Sequence, residues 1–333
     1  MRTRELGRTG LPVSELTYGA AFVTKNEQGF QGARELIDEA LSAGINLIDT
    51  SADYGDSETA VGRALAGEER PVIVCTKLGP RSADFDPKDK GFLRREVEKS
   101  LELLNRDYID ILMIHEPDRP GQIDWWEDMK NFKGPVSELL KELKDEKIIG
   151  FTGLGGTTAY EIVPIIETGF YDVLLTAFNY SILWREAELE VFPAAKKQDM
   201  GIMLGSPTQQ GWLAHRYDEQ IKSGNSRLLN KPRREQLLAL YEVADDADIP
   251  IPELALRWAL MNCDASTVLT GARKLSQLRQ NINATQEGPL DKDIVARLDE
   301  VAAMVPFRPF EEPFFCPFYH DDFDTRKRPG PAG

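Results

Sequence analysis

Four side chains within residues 45–115 are of types that together could move a proton: Asp49, Tyr54, Lys77 and His115. Asp49 closes the apolar run Leu47-Ile48, and Tyr54 follows five residues later, just before Gly55 and the helix-start pair Ser57-Glu58. Lys77 closes the run Val72-Ile73-Val74-Cys75-Thr76, and His115 closes Ile111-Leu112-Met113-Ile114. A phenol, with an ordinary pKa of about 10, is a poor donor at neutral pH. A neighbouring ammonium stabilises the phenolate and lowers that value, and a carboxylate keeps the ammonium charged. An imidazole can hydrogen-bond a carbonyl oxygen and orient it. Such a set would protonate an oxygen that gains charge as its carbon accepts a hydride. It contains no nucleophile–base pair for acyl transfer and no His/carboxylate cluster at metal-ligand spacing, so no metal is expected. Taken singly, a solvated lysine, a satisfied strand-end histidine and a packing tyrosine are the plainer readings. Three consecutive strand ends aiming an acid, a lysine and a histidine at one rim weaken them.

The elements that must position these groups alternate strand and helix. Short apolar strands are expected over residues 15–19, 47–49, 71–76, 109–114, 148–152, 173–177, 201–204 and 267–270. Helical periods fall at 32–43, 58–65, 93–104, 135–146, 160–167, 186–198, 233–244, 253–261 and 275–283, with an irregular insert over 207–232. Eight strand–helix units, each strand apolar on both faces, predict parallel strands covered by helices and closed into an α/β (β/α)8 TIM barrel. An open doubly wound sheet would want G-x-G-x-x-G after its first strand, and none is there. The chain opens on a predicted hairpin around Gly7-Arg8-Thr9-Gly10, set to close the barrel's bottom. An amphipathic segment at 290–304 and a Pro/aromatic-rich tail end it, so the barrel is assigned to 1–305 and the tail to 306–333.

Composition bounds the function. A chain of 333 residues with 41% hydrophobic content supports a sizeable core, and a net charge of −15 argues against nucleic-acid or anionic-membrane surfaces. No apolar run reaches membrane-spanning length, and Met1-Arg2-Thr3-Arg4-Glu5 lacks a signal-peptide core. Three cysteines (Cys75, Cys263, Cys316) form no paired framework, so a reduced, cytoplasmic protein is expected. After the eighth strand, Thr270-Gly271-Ala272-Arg273-Lys274-Leu275 leads two adjacent cations into a helix N-terminus, a setting suited to a phosphate.

Gly44-Ile45-Asn46-Leu47-Ile48-Asp49-Thr50-Ser51-Ala52-Asp53-Tyr54-Gly55 resembles the aldo-keto reductase signature. Thr76-Lys77, Ile111-Leu112-Met113-Ile114-His115 and the opening Leu6-Gly7-Arg8-Thr9-Gly10-Leu11-Pro12-Val13-Ser14 are similar to that family too, so the resemblance runs from about residue 3 to about residue 305. It implies nicotinamide-dependent carbonyl reduction or the reverse alcohol oxidation, with Tyr54 as general acid/base, Lys77 and Asp49 tuning it and His115 orienting the substrate. It also implies Arg273, Lys274 and Gln277 for an adenosine 2′-phosphate, Gln280 and Asn281 for adenine, Gly271 beside them and Ser206 for the pyrophosphate. NADP(H) is therefore expected over NAD(H). The nicotinamide seat departs from the family: Thr152-Gly153 stands for Ser-Asn after the fifth strand, Ala177 for a Gln, and Gly205 for the stacking Tyr. Thr152-Gly153-Leu154 looks more like the branch of L-galactose dehydrogenases and related sugar dehydrogenases, which suggests a small-molecule carbonyl or sugar substrate.

Trp125, Trp126 and Trp212 lie in the loops after the fourth and seventh strands and are candidate pocket walls. The tail carries Phe307, Phe310, Phe314, Phe315, Phe318, Tyr319 and Phe323, a density that implies docking, with a homo-oligomer contact among the options. Cys316 and His320 near Asp321 and Asp322 match no metal spacing. Two rivals share the fold: a catalytically slow NADP(H)-binding sensor or auxiliary subunit, and an aldolase using Lys77 as a Schiff base. The latter leaves the 273–281 segment without a purpose.

Overall fold

A computed structural model describes residues 1–119, 121–223 and 230–308. The chain opens on an antiparallel pair, β1 (Thr3–Glu5) and β2 (Pro12–Ser14). Eight further strands follow: β3 (Leu16–Gly19), β4 (Leu47–Asp49), β5 (Ile73–Leu78), β6 (Ile109–His115), β7 (Ile149–Gly156), β8 (Val173–Ala177), β9 (Gly201–Gly205) and β10 (Thr267–Gly271). They run parallel in the order β10-β3-β4-β5-β6-β7-β8-β9 and close into a barrel. The eight-stranded (β/α)8 barrel with its N-terminal hairpin is thus the fold read from the sequence. The tail from 309 onward, and the subunit contact assigned to it, lie outside the described residues.

Strand parity explains where each side chain goes, since alternate residues face opposite sides of a strand. Leu47, Cys75, Ile111, Met113, Val173, Leu175 and Met203 share one buried cluster with Leu6 and Val13 of the hairpin, inside the barrel. Their neighbours Ile48, Val74, Leu112, Ile114, Leu174, Ile202 and Leu204 belong to the other cluster, between strands and helices. Asp49, Lys77 and His115 each stand two residues beyond an inward member (Leu47, Cys75 and Met113), so all three face inward, one layer above the apolar filling.

Helix boundaries differ from expectation where proline intervenes. The helix expected over 160–167 is α5 (Ile162–Ile166), and the one expected over 186–198 divides into a 3-10 turn (Glu186–Glu188) and α6 (Val191–Lys197). Pro164 and Pro193 lack an N–H and fit only a first turn, so each helix starts just before its proline.

The hairpin seals the N-terminal end of the barrel. Leu6 is fully buried, and Arg8 donates to the carbonyls of Gly169, Tyr171 and Gln198 and to Asp172. Gly7 turns the chain with φ 46°, and an added Cβ there would overlap Gly201 N and Met200 C. Gly7→Ala is therefore expected to cost about 1–3 kcal/mol, from left-handed strain plus overlap. A urea midpoint unchanged from wild type would contradict this account of the seal.

Candidate active site

The last inward residues of the eight strands form one layer at the C-terminal rim, and that layer is divided. On β4, β5 and β6 stand Asp49, Lys77 and His115. On β7, β8, β9, β10 and β3 stand Gly155, Ala177, Gly205, Gly271 and Gly19, all glycine or alanine. Register ties the halves together, with Asp49 opposite Cys75, Lys77 opposite Met113, His115 opposite Gly155, Ala177 opposite Gly205 and Gly271 opposite Gly19. The reactive groups thus face a wall of almost no side chains.

Lys77 Nζ lies 2.7 and 2.8 Å from the two Asp49 carboxylate oxygens and 2.7 Å from Thr50 O. All three ammonium hydrogens are matched, and the two side chains are 0% and 3% exposed. Burial disfavours the ammonium, yet Asp49 above all holds the Lys77 pKa above its ordinary value. An ammonium so held is a poor Schiff-base nucleophile, which removes the support for an aldolase.

Tyr54 comes from the loop between β4 and α2 (Ser57–Ala64), half-buried beside this pair. Its ring centroid is 5.1 Å from Lys77 Nζ and meets the His115 ring edge-on at 5.5 Å and 82°. Burial raises the phenol's pKa; Lys77 pulls it down, and Asp49, Asp53 and Glu116 push it further up. The sequence argument gave Lys77 the right sign, but burial outweighs it. Tyr54 therefore holds its proton as a neutral acid at the barrel mouth.

Several groups at the rim escaped sequence reasoning. Asp53 Oδ1 lies 2.8 Å from His115 Nδ1, and Ser51 Oγ reaches both. Asp118 is fully buried and clamps the loops after β6 and β7: one of its oxygens accepts from Thr157 N, Thr158 N and Thr158 Oγ1 at 2.7–2.9 Å. Burial raises the Asp118 pKa despite those donors. Asp53 was visible as a second acid one residue before Tyr54; Asp118 carried no pattern at all.

Three expectations need correction. The fifth barrel strand does not end at Thr152 but runs to Gly156. Thr152 faces outward, its N–H 3.0 Å from Asp172 Oδ2, and Gly153 sits lower in the barrel, where an added Cβ would meet Met113 Cγ at 2.7 Å. The rim position is Gly155, whose added Cβ would lie 3.4 Å from Lys77 Cδ. Trp125 is fully buried, donates from Nε1 to His115 O at 3.2 Å and meets Phe85, so it offers a substrate no face. Trp126 is 6% exposed and donates to Pro117 O, supporting the loop in the same way. Trp212 alone of the three is half-exposed, with the Arg233 guanidinium 4.6 Å from its ring.

Beyond β10, α10 (Leu275–Gln286) starts without a side-chain cap, and Arg273 and Lys274 precede it, both exposed. They border a cleft of about 750 Å³ together with Lys25, Asn26, Glu35 and Gln277. Gln277 Oε1 accepts from Arg273 N at 3.0 Å, which draws the two ends of this turn together. Gln280 and Asn281 lie further along α10, exposed and half-buried respectively. Ser206 follows β9 with φ 55° at the rim, half-buried. Three cations, open helix N–H groups and a neighbouring glycine-lined barrel mouth fit an extended dinucleotide with phosphates. Among the described residues no group of three or more His, Cys, Asp or Glu could hold a metal, and no helix is long and apolar enough to cross a membrane.

Residues 15–303 match the Aldo/keto reductase family, and the chain belongs to it. It is accordingly an oxidoreductase of aldo-keto reductase type, in a family that uses nicotinamide cofactors. It is 29% identical to the L-galactose dehydrogenase of Arabidopsis thaliana, over 85% of this chain and 88% of that one. A probable voltage-gated potassium channel subunit beta of the same plant is 26% identical over 93% of this chain and 99% of its own. The structure of an aldo-keto reductase from Bacillus halodurans, in its holo form, superposes with a TM-score of 0.75 at 27% identity, covering 93% and 99% of the two chains.

Removing one partner of the buried pair should show its weight. Asp49→Asn leaves the Lys77 ammonium without its counter-charge and is expected to cost about 3–5 kcal/mol in urea unfolding. Stability within 1 kcal/mol or so of wild type would mean that Thr50 O and water suffice to hold Lys77.

Proposed function

We propose that the protein is an NADP(H)-dependent oxidoreductase that reduces an aldehyde or ketone, or oxidises the corresponding alcohol or sugar, with Tyr54 as general acid/base. The divided rim layer carries this reading: proton-handling groups on three strands face a side-chain-free wall on five. The nicotinamide cofactor, when bound, supplies or accepts the hydride. Tyr54 hands its proton to the oxygen that gains charge, Lys77 stabilises the phenolate left behind, and Asp49 keeps Lys77 charged and fixed. His115 orients the substrate by hydrogen bonding. Ser206 and the β9 end would meet the pyrophosphate, with Gly155 rather than Gly153 at the nicotinamide level.

Arg273 and Lys274, with Lys25 across the cleft, support the preference for a 2′-phosphate, and thus for NADP(H). Gln277 lines the same cleft; Gln280 and Asn281 remain the candidates for adenine. The resemblance to L-galactose dehydrogenase supports a sugar or other polyol substrate. The channel-subunit relative supports the second reading, a slow cofactor-binding auxiliary subunit, against which the closely set Tyr54, Lys77 and His115 weigh. Cys75 and Cys263 are free, which suits a reduced cytoplasmic setting.

Tyr54→Phe is expected to lower kcat by about 10²–10⁴-fold while NADPH still binds in a fluorescence titration. Wild-type turnover in that variant would remove Tyr54 from the mechanism; tight NADPH binding with no carbonyl turned over by the wild type would favour the auxiliary subunit. NADPH is expected to bind more tightly than NADH, and Arg273→Ala to narrow the difference by about tenfold, the scale of one charge-assisted contact. Equal affinities in the wild type would refute the 2′-phosphate site.

A further inference from the structure

One acid at the rim has no part in the mechanism above. Glu116 follows the end of β6, and its N–H donates to Gly155 O at 2.8 Å. Its backbone is left-handed, with φ 49°, a conformation that a residue with a long side chain keeps only where its surroundings enforce it. Neither carboxylate oxygen accepts a hydrogen bond among the described residues. Oε2 is sealed from solvent without a partner, and Oε1 lies 3.9 Å from Arg119 Nε. The Arg119 side chain is 2% exposed and its Nε donates to Thr157 Oγ1 at 2.6 Å, so that nitrogen lends Glu116 charge but no hydrogen bond. A carboxylate that has lost water on one oxygen and gained no donor is held at a cost, which a donor on a ligand relieves.

Glu116 also acts on the catalytic phenol. Of the charged groups that bear on Tyr54, Lys77 is positive, while Asp49, Asp53 and Glu116 are negative. Asp49 is matched by Lys77, and Asp53 Oδ1 accepts from Ser51 Oγ and lies beside His115 Nδ1. Glu116 is the acid of the three that still has acceptor sites to fill.

We propose that Glu116 is a specificity-determining residue that accepts a hydrogen bond from a substrate hydroxyl and turns away substrates carrying a carboxylate. The substrate class is then neutral hydroxylated carbonyl compounds, with keto acids and sugar acids excluded. This rests on the reductase reading above and names the group that selects among carbonyls. A hydroxyl of the substrate donates to Glu116 while the carbonyl oxygen accepts from Tyr54. A carboxylate brought to the same place meets a like charge. Lys77 does not offset it, because its three protons go to Asp49 and Thr50, and Arg119 is buried. A plain aldehyde gains nothing from Glu116 and is not repelled by it.

The test compares two pairs of aldehydes on the full chain with NADPH. In the wild type, kcat/KM for butanal is expected to exceed that for succinic semialdehyde by about 100-fold, the effect of a like charge at close quarters. Glyceraldehyde is expected to exceed propanal by about tenfold, the worth of one hydrogen bond. Glu116→Gln keeps the shape and loses the charge, and is expected to cut the first ratio by about tenfold or more. Glu116→Leu removes the acceptor and is expected to bring the second ratio near one. General damage to the fold lowers both members of a pair together and moves neither ratio, and a urea midpoint records it separately. Equal use of butanal and succinic semialdehyde by the wild type, or a ratio unmoved by Glu116→Gln, overturns the charge selection. A glyceraldehyde-to-propanal ratio near one in the wild type, or one unmoved by Glu116→Leu, overturns the hydroxyl contact. If the wild type reduces none of the four, the reductase reading fails. The same two ratios, read as dissociation constants in an NMR titration, then decide the role of Glu116 alone.

Discussion

The rim is organised by the ion pair between Lys77 and Asp49. Two opposite charges held almost wholly away from water are stable only as a pair with every donor matched, and here both carboxylate oxygens and the Thr50 carbonyl complete the set. That requirement fixes three things at once. It sets β4 beside β5 in a register that brings Asp49 next to Cys75, two residues below Lys77. It holds the start of the loop that delivers Tyr54. It also places one positive charge beside a phenol whose pKa burial raises, so that Lys77 offsets part of that rise.

The remaining rim follows from what an inward position can hold. A layer of apolar side chains fills the barrel below, so anything bound at the mouth rests on a solid floor. Above it, five strands end inward in glycine or alanine. A larger residue would compete with the ligand for the space: a Cβ on Gly205 would already press on Ala177 Cβ at 3.1 Å. The loops after β6 and β7 are then fixed to each other by Asp118, and the carbonyl of His115 is capped by Trp125. Rigidity on one side and emptiness on the other are complementary halves of one design.

Most of the architecture was legible because parallel buried strands advertise themselves as apolar runs and each ended in a punctuating residue. That Asp49, Tyr54, Lys77 and His115 would meet at one rim could be anticipated because three of them terminate such runs. Thr152 and Gly153 were misplaced for a related reason: 149–156 is a long strand rich in glycine, and nothing in Gly153-Leu154-Gly155-Gly156 says where its pairing stops. One residue of offset exchanges the inner face for the outer, which is what separates Thr152 from the rim. Trp125 was misjudged because a loop tryptophan looks the same whether it lines a pocket or holds a backbone carbonyl. Asp53 and Ser51 matter through hydrogen bonds to a histidine more than sixty positions away, a relation that no local spacing encodes.

The hairpin at the other end of the molecule makes the barrel a cup and not a tube. With Leu6 and Val13 wedged against the inner apolar residues, the described residues leave the floor shut, and traffic is confined to the rim. Anything bound at the mouth must then enter and leave past the rim, and under the proposed mechanism a proton drawn from Tyr54 would be replaced from the same side as the departing product. Entry and exit are thereby confined to one face by the shape of the vessel before any affinity is considered.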